Sequence, residues 1–371
     1  MRIAYYDDVP NEAEDVKSAL ERVENELAVQ IIPPPQDLGQ VEEQAREADL
    51  FLVDFDLSRP NKSMPPAGYV GTTLVAHLRS LLPFYPLVVI TKTSILDTLI
   101  PEQRRQLRER LNCDDMMVKQ DVQDDPQREA TRLVSLAEGF KVLRDVPPTS
   151  WDEILAHLQV DPQSVEAGRL HESRPPIAHQ EMTVSAVASW IRKVLMQYPG
   201  ILYDDLHAAT NLGLSVGSFQ SQPVQEMMAK AKYTGVFSAD GFKRYWWKDR
   251  LRSIAIGMLE DAAYRGNVIP GFAEVLRSER GVAAEPSRCI WDGSPGADRV
   301  CYLLQGPVKL DHTLSYNVDS RPAVMDQARV SFRAIREHEE FDRELLDPIG
   351  RDLLPMIEGL QDRFIDGDSG T

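Results

Sequence analysis

Three cysteines in 371 residues, Cys113, Cys289 and Cys301, are too few and odd in number for a disulfide framework, which suits a reducing compartment. No apolar run approaches the ~18 residues that cross a bilayer. The opening MRIAYYDD lacks a basic stretch followed by an apolar one, so no secretory signal is expected and the chain reads as cytoplasmic. There is no G-x-G-x-x-G, P-loop, H-E-x-x-H or G-x-S-x-G motif and no nucleophile–base pair, so no enzymatic output is expected. Internal repeats and low-complexity tracts are also missing. A formal charge of −17 argues against polyanion binding through net charge, although a local basic patch stays open. What is there is ordinary for a globular protein, 43% hydrophobic and 27% charged residues, over a length that predicts two or three domains.

Residues 1–145 alternate short apolar runs with amphipathic stretches. The runs start at Ile3, Val29, Leu50, Leu87 and Met116, and helical segments are predicted over 11–26, 38–47, 68–82, 95–112 and 127–144. Apolar runs that do not alternate mark strands covered on both faces, so the expectation is a (βα)5 doubly wound parallel sheet. Val146-Pro147-Pro148-Thr149-Ser150 predicts a boundary. A helical linker (146–180) and a mostly helical α+β output region (181–371) follow. Within the latter, helices are predicted at 184–198, 203–211, 223–232 and 241–265, strands and turns over 285–318, and charged helices at 329–340 and 344–363, the last interrupted near Pro355.

In such a sheet ligands gather outside the carboxyl ends of the strands. Those ends carry Asp7-Asp8, Asp54, Thr91 and Lys119. Three converging carboxylates repel one another unless a divalent cation joins them, and hard oxygen donors suit Mg²⁺. Asp54 is then a carboxylate nucleophile for a phosphoryl group. Lys119 supplies a point charge and Thr91 a hydroxyl to the phosphoryl oxygens.

Residues 1–145 resemble the receiver domain of two-component response regulators. The resemblance rests on Arg2–Pro10, Leu52–Leu57, Gly71–Arg79, Pro86–Thr91 and Asp114–Lys119, in that order. It implies a phosphoprotein charged at Asp54 by a histidine kinase or phosphotransfer protein. It further implies that Asp8 and Asp54 ligate Mg²⁺, that Asp7 assists through water, and that the Asp56 carbonyl completes the set. Departures from the family fall at Met116, where an aromatic switch residue is usual, at Gln120, where a proline usually follows the lysine, at Lys92, and in the long Ser58–Tyr69 loop.

The second half resembles no known family. Ala208–Phe219 is similar to a helix-turn-helix core, with Gly213 at the turn and Ser215 as a cap, and Thr234–Phe237 reads as a wing hairpin, so 181–265 has a winged-helix-like pattern. Lys230, Lys232, Lys243, Arg244, Lys248, Arg250 and Arg252 surround Tyr245-Trp246-Trp247. Against DNA stand Pro223, the absence of Arg or Lys at 216, 217, 220 and 221, and the simpler use of paired tryptophans as core anchors. A protein-interaction output is therefore preferred over a DNA-binding one, and a homodimer is a further partner. Cys289, Cys301 and His312 lack a C-x₂-C knuckle, which disfavours zinc. Arg299, Lys309, His312, Tyr316 and Arg321 form a polar-aromatic cluster with some promise as a pocket.

Overall fold

The structure is a computed structural model that describes every residue except 25, 42–46, 58–67, 99–112, 175–183, 199, 239–242, 263–267, 319–325, 339 and 361–371. The chain divides into two compact units that interleave in sequence. Unit 1 takes residues 1–162, 174–191 and 235–242, and unit 2 takes 163–173, 192–234 and 243–371. The stretch expected as a linker is thus shared between them. Its helix Trp151–His157, with Ile154 and Leu155 buried, belongs to unit 1, and 163–173 belong to unit 2.

Unit 1 is built on five parallel strands, β1 (Arg2–Tyr6), β2 (Ala28–Ile32), β3 (Leu50–Asp54), β4 (Leu87–Thr91) and β5 (Asp115–Val118), in the order β2-β1-β3-β4-β5. Central β3 and β4 are buried along their whole length, as continuous apolar runs require. Among the described residues the helices that alternate with these strands and follow the last are α1 (Pro10–Val23), α2 (Gly71–Leu81), α3 (Thr93–Thr98), α4 (Lys119–Asp124) and α5 (Pro126–Asp145). Of expected helix 38–47, Leu38–Gln40 form a 3₁₀ turn, Val41 is helical and residue 47 lies in a turn, while 42–46, like 99–112 of the fourth segment, lie outside the described residues. Asp125 caps α5 through the Arg128 N–H. Arg132 of α5 pairs with Asp115 and Glu129 and so ties this helix to β5. Asp114 pairs with Arg79 and accepts the Leu87 N–H at 2.8 Å, which fixes the start of β4 against α2.

The predicted wing at Thr234–Phe237 is a turn rather than a hairpin. Phe237 adopts φ 65° and belongs to unit 1, where its ring meets Phe140 edge-on at 6.0 Å over Gly139.

Unit 2 contains two apolar clusters, one within 203–284 and one within 289–357. Asp204 caps the helix Asp205–Asn211, Gly213 makes the turn at φ 71°, and Ser215 caps Val216–Gln220. Pro223 then opens a new helix, Gln222–Met227. Tyr245, Trp246 and Trp247 do not lie on a helix: Trp246-Trp247 pair antiparallel with Leu202-Tyr203, and the helix begins only at Lys248. Bulky aromatics fit a pleated surface better than a helix turn. The predicted 329–340 helix opens as a strand, Arg329–Ser331, and the last helix, Pro348–Glu358, runs through Pro355 without a break.

Among the described residues no helix is long and apolar enough to cross a membrane.

Candidate functional site

Parallel strands in register bring their carboxyl ends to one edge, and the acidic residues follow from that. Tyr6 of β1 pairs with Val53, Asp54 with Ile90, and Thr91 with Val118. Asp7 and Asp8 leave β1, Asp54 ends β3, Thr91 ends β4 and Lys119 opens α4. All five side chains are buried. One carboxylate oxygen from each of Asp7, Asp8 and Asp54 lies within 4.8 Å of the others. Asp56, two residues beyond Asp54, is half-buried on the loop leaving β3.

Lys119 is the counter-charge. Its Nζ lies 2.8 Å from Asp7 Oδ2, 3.3 Å from Asp54 Oδ1 and 3.3 Å from Glu12 Oε2. Burial alone would lower this ammonium's pKa, but the facing carboxylates of Asp54 and Asp7 outweigh it and hold the proton on. Burial drives the Asp54 carboxyl the other way, up to about 7; Lys119 opposes that rise, while Asp7 and Asp8 add to it. Asp7 is itself held in place, accepting the Tyr5 hydroxyl at 2.5 Å and the Val9 N–H at 2.7 Å.

Glu12 and Tyr5 were not singled out in the sequence. Glu12 stands on the first turn of α1 and bridges Lys119 to Lys92, the unusual lysine after Thr91. Lys92 therefore points at Glu12, and the Glu12 carboxyl is depressed by its two ammonium partners despite partial burial.

Two buried atoms bear on what the site is for. Asp54 Oδ1 meets the Lys119 ammonium at 3.3 Å without a well-aligned hydrogen bond, and Thr91 Oγ1 has no hydrogen-bond partner. An unsatisfied buried polar atom costs about 1–3 kcal/mol, so a ligand that supplied both would be held firmly. Three hard carboxylates that repel one another, with an oxygen of Asp54 lacking a well-aligned hydrogen bond, fit Mg²⁺. Asp7, Asp8 and Asp54 would hold it. Gly71 lets α2 begin close beneath: a Cβ there would stand 1.9 Å from the Asp54 carbonyl oxygen.

The sheet order β2-β1-β3-β4-β5, all parallel, is that of the expected (βα)5 doubly wound fold, with the expected acidic, hydroxyl and amine residues at its strand ends. Over the N-terminal part the chain is similar to the signal receiver domain of the response regulator NarL from Mycobacterium tuberculosis (19% identity, 37% of this chain and 96% of that one, TM-score 0.26). It is similar also to the response regulator TrrA from Thermotoga maritima in complex with Mg²⁺-BeF (17%, 36% and 97%, TM-score 0.24). A third similar structure is RcsB from Salmonella enterica serovar Typhimurium bound to promoter rprA (18%, 52% and 83%, TM-score 0.28). Scores this low add no weight to the topology itself. No family model matches the chain, and no curated protein does.

Unit 2 holds a polar cavity of about 190 Å³ whose lining includes His207, Thr210, Asn211, Lys248, Arg299 and Arg329. His207 Nε2, Thr210 Oγ1 and Asn211 Oδ1 are buried without a partner. Asp204 accepts from His207 Nδ1 at 2.7 Å and fixes the ring, and burial together with the facing Arg299 lowers the Arg329 pKa. Of the polar-aromatic cluster read in the sequence, only Arg299 lines this cavity among the described residues. Tyr316 is buried in the second apolar cluster, His312 faces Cys289, and Arg321 lies outside the described residues.

The basic run is largely neutralised within unit 2. Arg244 pairs with Asp205, Lys248 with Asp326, Arg250 with Glu166 and Lys243 with Asp204. Trp246 and Trp247 are buried.

Proposed function

We propose that the chain is a response regulator whose receiver accepts a phosphoryl group at Asp54 from a histidine kinase or phosphotransfer protein. The observation that carries the reading is the buried constellation of Asp7, Asp8, Asp54, Thr91 and Lys119, in which the Lys119 ammonium faces Asp54 and the Thr91 hydroxyl has no hydrogen-bond partner of its own. In the transfer a carboxylate oxygen of Asp54 attacks phosphorus, the bond from phosphorus to the donor breaks, and the donor keeps the electron pair and takes a proton. Lys119 faces the negative charge of the incoming group, and the Thr91 hydroxyl donates to one of its oxygens. Bound Mg²⁺ would supply positive charge against the carboxylates and the phosphoryl oxygens.

The output we infer is a protein contact made by the C-terminal region. It is supported by the pairing of the basic side chains with acids of their own unit and by the burial of both tryptophans. DNA binding is the second reading, favoured by the helix–turn–helix at 205–220 with Gly213 at its corner. Its five-residue second helix carries no cation. Immobilised full-length protein, with and without acetyl phosphate, separates the two. Phosphorylation-dependent retention of a kinase or effector protein supports the first, and steeply salt-dependent capture of upstream DNA supports the second.

A further inference from the structure

The fold rearranges the Cys289, Cys301 and His312 trio read in the sequence. Cys301 turns into the core, where its Sγ accepts from the Ser331 N–H at 3.3 Å and the Ser331 hydroxyl at 3.2 Å. Cys289 keeps His312, with Sγ 3.3 Å from Nδ1. The third group is Asp292, whose Oδ2 lies 3.9 Å from the same Nδ1. One ligand atom of each residue lies within 4.8 Å of the others.

We propose that Cys289, Asp292 and His312 form a binding site for one zinc-class transition metal ion. Three features carry this. First, Cys289 and Asp292 stand at the two-residue spacing of a metal knuckle, with the carboxylate in the second position. The backbone closes the knuckle: the Gly293 N–H donates to the Cys289 carbonyl at 2.8 Å, and the Cys289 N–H to the Ser294 carbonyl at 2.9 Å. Gly293 takes φ 68°, which an L side chain would resist.

Second, the donor spacings lie close to those the ion needs. Zinc bonds of about 2.3 Å to sulfur and 2.0–2.2 Å to nitrogen and oxygen, at tetrahedral angles, place neighbouring donors roughly 3.3–3.6 Å apart. The 3.3 Å from Cys289 Sγ to His312 Nδ1 lies at the edge of that range and the 3.9 Å from Nδ1 to Asp292 Oδ2 a few tenths of an ångström beyond it, a closure that a bound ion would supply.

Third, the carboxylate is aimed. Ser294 donates to Asp292 Oδ1 through its N–H at 3.0 Å and its hydroxyl at 2.5 Å, which leaves Oδ2 for the ion. Such outer partners are what orient metal ligands. Thiolate and imidazole select a zinc-class ion over Mg²⁺, in contrast to the all-oxygen cluster of unit 1. Side-chain exposures of 24% for His312 and 21% for Asp292 leave the fourth position to water. Binding replaces the Cys289 thiol proton, which passes to solvent.

The test uses the full-length protein, stripped with chelator and titrated with Co²⁺. The site predicts one Co²⁺ with a near-ultraviolet thiolate charge-transfer band that excess Mg²⁺ leaves unchanged and Zn²⁺ abolishes by displacement. Cys289→Ser and His312→Ala lose the band, Asp292→Asn weakens Co²⁺ binding at least ~10-fold, and Asp54→Asn keeps the wild-type band. As a second measurement, with excess Mg²⁺ present to fill the acidic cluster of unit 1, Zn²⁺ raises the melting temperature of the stripped wild type but not of Cys289→Ser. Folded wild type that shows no thiolate band, or a band that survives in folded Cys289→Ser, overturns the proposal.

Discussion

Glu12 Oε2 lies 3.3 Å from the Nζ of Lys119, the same ammonium that meets Asp7 and Asp54. The other oxygen of Glu12 holds Lys92. One carboxylate on α1 thus governs two cations beside the phosphoacceptor.

Replacing Glu12 with Gln removes a negative charge that competes for Lys119. At an effective dielectric near 20 two such charges 3.3 Å apart interact by about 5 kcal/mol, and a fifth of that passed to the incoming phosphoryl group is about 1 kcal/mol. Phosphoryl uptake from acetyl phosphate should therefore quicken roughly fivefold, read as initial rate at fixed donor concentration. An unchanged rate would mean that the bridge plays no part in transfer.

Adding Mg²⁺ should stabilise the protein by relieving repulsion among Asp7, Asp8 and Asp54. At ten times its dissociation constant the ion contributes about 1.4 kcal/mol. The melting temperature should rise with Mg²⁺, fall back with chelator, and respond less in Asp8→Asn.

Gly71→Ala should be costly for a small change. Its new methyl group would fall 1.9 Å from the Asp54 backbone oxygen, and backbone cannot swing aside as a flexible side chain can. Overpacking of this kind costs about 1–3 kcal/mol. Urea midpoints should drop, and phosphoryl uptake should slow because α2 must move off the end of β3.

Asp204 should contribute an acid-sensitive part of unit 2's stability. Its carboxyl is held down to about 2: burial works against this, but His207 and Lys243 outweigh it. A depressed acid stabilises the fold above its unfolded value of about 3.9, and that contribution is lost as the pH falls towards 2. The expected size is about 2 kcal/mol. Tryptophan fluorescence in urea at pH 6 and pH 3 should show the loss in wild type and a smaller one in Asp204→Asn.

The sheet and its acidic edge were legible because each is written locally. Leu50–Val53 and Leu87–Ile90 are unbroken apolar runs, and Asp54, Thr91 and Lys119 stand where such runs stop. Glu12 and Tyr5 were not legible, since their roles depend on which face of α1 and which side of β1 meet the site. Trp246-Trp247 misled because a two-residue strand has no period to read. Asp292 escaped because a search confined to cysteine and histidine passes over a carboxylate at the second knuckle position. The helix Val268–Arg280 went unread behind Pro270 and Gly271, two helix breakers that the fold accommodates near its start.

The central claim is that Asp54 is the phosphoacceptor. The most direct measurement is the intact mass of the full-length protein after incubation with acetyl phosphate and Mg²⁺. The account predicts one acid-labile phosphoryl group per chain in wild type and none in a folded Asp54→Asn variant. Uptake by Asp54→Asn at the wild-type level would contradict it.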